Sequence, residues 1–309
     1  MTTFKVISRE FLEHYVLLHR KALRAQLHKQ PLTPDLERSL LPLAEMVRGT
    51  PDLSGMDLRQ VNLQKIDLSG VKMHETDLRG ANLSGAHLRK ADLQGAKLRR
   101  GVFQFADFSE ANLRGIDAQD AQLIECRYDG AILEGVDLSR SKLKMGSFCK
   151  ANLRQACLKG LDLRAVRALD ADFARADLSE ANLLDAVFDG AILHSAILRK
   201  ATLNNASLRK ARAERADLSQ SNLSGAQLQD ADLRHVILQG AVLQDANFSR
   251  AQLTGADLRT HLANADFRQA ELNDANLEGA NYGSANLTET VLQPQERPPL
   301  MRAISRIVK

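Results

Sequence analysis

The chain has 309 residues, 44% of them hydrophobic but only 4% aromatic, with no Trp and three Cys, so its core is aliphatic and no disulfide framework holds it. The formal charge of +4 sits at the ends: residues 1–50 and 293–309 carry +3 each, and the 242 residues between them net −2. That balance excludes a basic stripe for nucleic acid, and no apolar run approaches the roughly 20 residues of a membrane span.

In chain order, residues 8–29 read as a helix. Phe11, Tyr15, Leu18, Ala22 and Ala25 form one stripe, with Leu12, Val16, Leu23 and Leu27 beside it. Pro31 ends the helix. Thr33-Pro34-Asp35 then reads as an N-cap followed by Pro at the first helical position, opening a second helix to about Val47. Residues 1–50 are thus expected to be a helical cap.

From residue 51 the chain changes period. Central residues recur every fifth position from Leu53 to Leu258 without interruption, Leu in 31 of 42 pentapeptides and Phe in six. Two positions earlier the residue is Ala in 26 of 42, and the residue between is often Asp or Asn, as in Ala81-Asn82-Leu83-Ser84-Gly85. The phase slips by one at Arg259–Leu262 and resumes at Phe267, Leu272, Leu277, Tyr282, Leu287 and Leu292, for 49 pentapeptides in all. A period of five buries no single face of an α-helix and does not match the two-residue period of a strand. A short extended stretch followed by a tight turn satisfies it, and repetition coils the chain into a solenoid.

The A-[DN]-L-x-x phrase over residues 51–292 resembles the pentapeptide-repeat proteins. The resemblance implies an all-β solenoid, a right-handed quadrilateral β-helix with four pentapeptides to a coil, and 49 pentapeptides then make about 12 coils. The residues offer a check. Positions 108, 128, 148, 168, 188, 208, 228 and 248 are Phe, Tyr, Phe, Ala, Phe, Leu, Leu and Phe, so aromatics gather on one face in four. Residues 293–309 break the pattern with Pro294, Pro298 and Pro299. A short C-terminal amphipathic helix follows, with Leu300, Met301, Ile304, Ile307 and Val308 on its apolar face. It is expected to rest on the open last coil near Leu287 and Leu292 or on another molecule.

Candidate chemistry reads as structural. Asp57 and Asp77 should lie one coil apart, but acids before the central residue recur along the whole repeat and suit local backbone amides. Cys126 replaces an inward Ala, Cys149 and Cys157 fall outward, and no His pair is spaced i, i+4. No catalytic residue, cofactor or metal is expected, and no enzyme. One surface departs from the solvated norm: Val102, Phe105, Ile124 and Met145 occupy outward positions on three successive coils and mark a lateral protein contact. The function expected is a non-catalytic protein–protein interaction scaffold or adaptor, cytoplasmic and bacterial, in the manner of an effector or secretion-system accessory. Its partner is a protein, or a second copy meeting it through a helical end or the flank patch. The alternative, suggested by the resemblance, is a DNA-mimicking inhibitor that protects gyrase, which calls for a markedly acidic surface.

Overall fold

The structure is a computed structural model that describes residues 10–12, 14–15, 17–18, 21–22, 31, 33–35, 51–281 and 283–292. It divides into two compact units, Met1–Cys157 and Leu158–Lys309.

Both units are built by one accounting of backbone donors. A pentapeptide has five N–H groups, and a buried one left unpaired is costly. In the first coil, Leu53 N–H donates to the Lys72 carbonyl (2.7 Å) and Lys72 N–H returns to the Pro51 carbonyl (3.0 Å), a parallel ladder with an offset of one coil. Gly55 N–H donates to the His74 carbonyl (2.7 Å), and Met56 N–H closes the turn on the Leu53 carbonyl (3.1 Å). The fifth donor, Ser54 N–H, has no carbonyl to meet and takes Asp52 Oδ1 (2.9 Å). This is why Asp or Asn precedes the central residue, and the same bond recurs at Asn82, Asp137, Asp177 and Asn222. Where that position is Ser, the acid comes from the coil before: Cys149 N–H donates to Asp129 and Arg209 N–H to Asp189.

Outside the slipped segment the bridges pair residues 20 apart within each unit, Asp57 with Asp77 and Asn182 with Thr202 among them, so four pentapeptides make a coil. The bridges run from Asp52 to Cys157 in the N-terminal unit and from Asp162 to Val291 in the C-terminal unit. In the N-terminal unit the ladder widens into recognisable strands at β1 (Gln122–Ile124) and β2 (Lys142–Lys144), parallel with Leu123 opposite Leu143. The third turn residue is left-handed in most pentapeptides, Arg140 being an exception, and it is the position at which a type II turn needs φ > 0. Gly fills it at 55 (φ 68), but so do Lys65, Phe105 and Met145 (φ 58, 62 and 51).

Central residues and their small predecessors are buried in both units up to Leu272. In the N-terminal unit Phe108, Tyr128 and Phe148 stack, with centroids 5.4 and 4.8 Å apart and rings within 6° of parallel. In the C-terminal unit Phe248 stacks on Phe267 (4.8 Å), while Phe188 meets Phe173 edge-on (5.3 Å). Phe248 and Phe267 are 19 residues apart, so the slipped segment is a coil one residue short. Thr260 N–H closes a tighter turn on the Leu258 carbonyl (2.7 Å), and the offset returns to 20 at His261 and Asn281.

The described residues 10–12, 14–15, 17–18 and 21–22 are helical. Their buried stripe is Leu12, Tyr15 and Ala22, and Phe11, expected on that stripe, is 41% exposed. Burial, with the nearby Asp67 carboxylate second, pushes the Tyr15 phenol well up. Thr33 is non-helical and Pro34 and Asp35 are helical. Residues 36–50, the C-terminal helix expected within 293–309 and its apolar face lie outside the described residues.

Candidate contact surface

The four flank residues lie together on one side of the N-terminal unit. Val102 is half-buried in the ladder between Asn82 and Gln122, and Ile124 is half-buried at the end of β1. Phe105 and Met145 are 60% and 62% exposed. Both sit at the left-handed turn position of one corner column, with Glu125 between them, and Phe105 N–H donates to the Ile124 carbonyl (3.0 Å). A bulky apolar side chain gains nothing from solvent at such a position and bears the cost of αL. Leu300, Met301, Ile304, Ile307 and Val308, the other candidate contact residues, lie outside the described residues.

The flank is framed by cations that sequence reasoning did not single out. Lys142 and Lys144 flank the buried Leu143 in β2 and both point outward, Lys144 opposite Ile124 and Lys142 opposite Gln122. The alternation K-L-K around a central Leu was the signal available for them.

A second feature of the same unit also went unread. Arg59, Arg79 and Arg99, one coil apart, line a groove of about 380 Å³ with Arg100, Gln119 and Asp120. Their guanidiniums are occupied: Arg59 bonds Asp57 (2.6 Å), Arg79 bonds Asp77 (2.6 Å) and Arg99 bonds Asp117. The Arg79 bond holds the Asp77 carboxyl below the usual carboxylate range. The Asp-Leu-Arg phrase makes the same bidentate pair at Asp232–Arg234 and Asp257–Arg259. Stacked carboxylates are thus employed in turns and ion pairs. Among the described residues no cluster of three or more His, Cys, Asp or Glu is arranged to hold a metal. In the C-terminal unit the short coil leaves a notch of about 420 Å³ lined by Gly240, Val242, Arg259, His261 and Gly279.

Cys126 is inward as expected, its thiol donating to the Phe103 carbonyl (2.9 Å), and burial pushes its pKa up to about 12. Cys149 and Cys157 are half-buried, and none of the three cysteines is in a disulfide.

The family model for pentapeptide repeats matches in eight copies between residues 76 and 293, over more than half of the chain. The chain belongs to the pentapeptide-repeat family. Its fold is accordingly the right-handed β-helix solenoid of that family, and the bridge pattern extends it back to Asp52, ahead of the first matched residue. Among solved structures it is similar to HetL, a pentapeptide-repeat protein involved in heterocyst differentiation regulation from the cyanobacterium Nostoc sp. strain PCC 7120. The two share 28% identity over 82% of this chain and 97% of that one, with a TM-score of 0.36. It is also similar to full-length QnrB1, a plasmid-mediated fluoroquinolone resistance protein, at 19% identity over 73% and 91% of the two chains, TM-score 0.30. A third is a thylakoid-lumen pentapeptide-repeat protein of Arabidopsis thaliana, 28% identical over 41% and 71%, TM-score 0.14. No curated protein matches this chain in sequence.

Proposed function

We propose that this family member is a non-catalytic protein-interaction scaffold whose lateral contact is the Val102, Phe105, Ile124 and Met145 flank. The observation that carries the reading is the pair of Phe105 and Met145, 60% and 62% exposed on one corner column. Exposed bulky apolar side chains that cluster favour a contact. The employment of the recurring acids by backbone N–H groups and guanidiniums supports a structural use for them, in line with a protein that is not an enzyme. Three cysteines outside any disulfide suit a reducing, cytoplasmic setting, with a bacterial effector or secretion-system accessory as its context. The gyrase-protecting alternative draws no support from the charge, since residues 51–292 carry 30 Lys/Arg against 32 Asp/Glu. Gyrase supercoiling unchanged by micromolar protein is the outcome expected.

The test is Ile124→Glu combined with Phe105→Ser. Both positions point outward, so the variant is expected to keep its melting temperature while losing its partner in a pull-down or its own association in light scattering. Unchanged pull-down and unchanged mass would make the flank ordinary surface. Loss of mass alone would identify a second copy as the occupant.

A further inference from the structure

We infer that the open end of the last coil is the docking site of this chain's own basic C-terminal segment, residues 297–309, which lies outside the described residues. The apolar part of the site is the coil end. Leu277, Leu287 and Leu292 are half-buried there, whereas every central residue from Leu158 to Leu272 is buried, and Val291 is exposed. Around that end runs a rim of one sign. Residues 269–292 carry Glu271, Asp274, Glu278 and Glu289, all exposed, and no Lys, Arg or His. They fall in the pentapeptides centred on Leu272, Leu277 and Leu287. Widening the count does not restore balance: residues 250–292 hold three Lys/Arg against six Asp/Glu, where the equal stretch 51–93 holds six against six. Those three cations, Arg250, Arg259 and Arg268, are already bonded to Asp230, Asp257 and Asp266 (2.7, 2.6 and 2.7 Å). Glu289 accepts from the neutral Gln269 amide (2.6 Å), and Glu278 lies near Arg259, which Asp257 already holds bidentate.

An apolar end inside an acidic rim calls for an occupant that carries apolar side chains and cations together, since charge at the margin of a contact selects partners. Leu300–Lys309 interleaves five apolar residues with Arg302, Arg306 and Lys309, and residues 293–309 carry four Lys/Arg against one Glu. Arg and Lys lay their stems along apolar surface and reach outward with their charge. Tethering decides between this segment and the same segment of a second copy. The seven residues 293–299 hold Leu300 within about 25 Å of Leu292. A short linker of this kind gives a local concentration on the order of millimolar, against which a micromolar second copy competes poorly. The rim repels a phosphate chain or an anionic bilayer. It also offers no gathered ligands, since among the described residues no group of three or more His, Cys, Asp or Glu is arranged to hold a metal.

The experiment uses the full chain carrying Ile304→Trp or, separately, Met301→Trp, because the protein has no other Trp. Expected is blue-shifted emission protected from acrylamide, with the protection weakened by salt. Arg302→Glu with Arg306→Glu should expose the indole, raise its quenching constant several-fold and lower the melting temperature. Adding Glu271→Arg and Glu289→Arg to that variant reverses the rim as well and should restore the protection. Circular dichroism verifies that each variant keeps its β-helix. An indole exposed at both positions, a tail reversal that changes nothing, or a double reversal that restores nothing would each overturn the inference. Protection that fades on dilution, together with a dimeric mass in light scattering, would also overturn it by making a second copy the occupant.

Discussion

At the scale of residues, the core holds one polar group out of place. The Tyr128 hydroxyl is fully buried in the Phe108–Tyr128–Phe148 stack and has no hydrogen-bond partner. Burial, and then the neighbouring Cys126 thiol, push its phenol well above the ordinary range. An unsatisfied buried hydroxyl loses its water without compensation, so Tyr128→Phe should stabilise the protein by about 1–2 kcal/mol. Thermal melting checks this, and a lower melting temperature would mean that the hydroxyl has a partner. Cys126, with its thiol pushed up to about 12, is almost wholly un-ionised near neutral pH. In native protein a disulfide reagent should therefore modify Cys149 and Cys157, and reach Cys126 only on unfolding. Phe105 and Met145 carry a different cost, since each is held at φ > 0. Gly at either position should raise stability by about 1 kcal/mol while weakening the contact, as expected where a residue is kept for binding at the expense of the fold.

At the scale of the coil, glycine outside the turns has a steric reason. A Cβ at Gly101 would lie 2.5 Å from Phe103 Cε2, so the small inward position admits no side chain beside that ring. Gly101→Ala should cost about 1–3 kcal/mol, and Phe148→Asp more than the 3–5 kcal/mol of a simple truncation, because the new carboxylate has no partner in the stack. Chemical denaturation measures both, and unchanged midpoints would place these residues outside the core. Acid should act on the same elements. Asp77, Asp232, Asp257 and Asp266 are lowered first by side-chain bonds from Arg79, Arg234, Arg259 and Arg268, and Asp52 by its bond from Ser54. Groups depressed in the folded state stabilise it above the unfolded carboxylate pKa. That contribution is lost as pH falls through the folded values, so melting should hold steady from neutrality and decline below about pH 4. Much of this coil was legible beforehand. A five-residue period with an inward Ala and Leu, and aromatics at 108, 128 and 148, determines the offset of 20 because the backbone must repeat its donors in step. What the period did not show was the tilt of the N-terminal helix, where Leu12 displaces Phe11 from the buried stripe. Helical spacing marks both residues as candidates, and only the surface the helix packs against chooses between them. Lys142 and Lys144 escaped notice for a related reason: a charge at an outward position means little until the register sets it beside Ile124.

At the scale of the molecule, a solenoid has to end, and the C-terminal unit shows why that matters. Every central residue from Leu158 through Leu272 is buried, but Leu277, Leu287 and Leu292 in the last coil are only half-buried, as are the inward Ala275, Ala280 and Ala285. An end of this kind offers unpaired backbone and apolar surface to any neighbour. The sequence supplies a segment of the right character in Leu300, Met301, Ile304, Ile307 and Val308. Ten residues from Leu300 to Lys309 are too few to hold a helix alone in water, where roughly 12–15 are marginal, so this face needs a surface to rest on. The 294–299 spacer spans at most ~20 Å when extended, enough to reach the last coil. If the tail covers that coil, deleting residues 294–309 lowers the melting temperature and drives the truncated chain to associate through Leu287 and Leu292. If the tail instead docks onto another molecule, the truncated chain melts as before and loses that partner. Melting and light scattering on the two proteins separate these outcomes, and a truncation that changes neither would remove the tail from both roles.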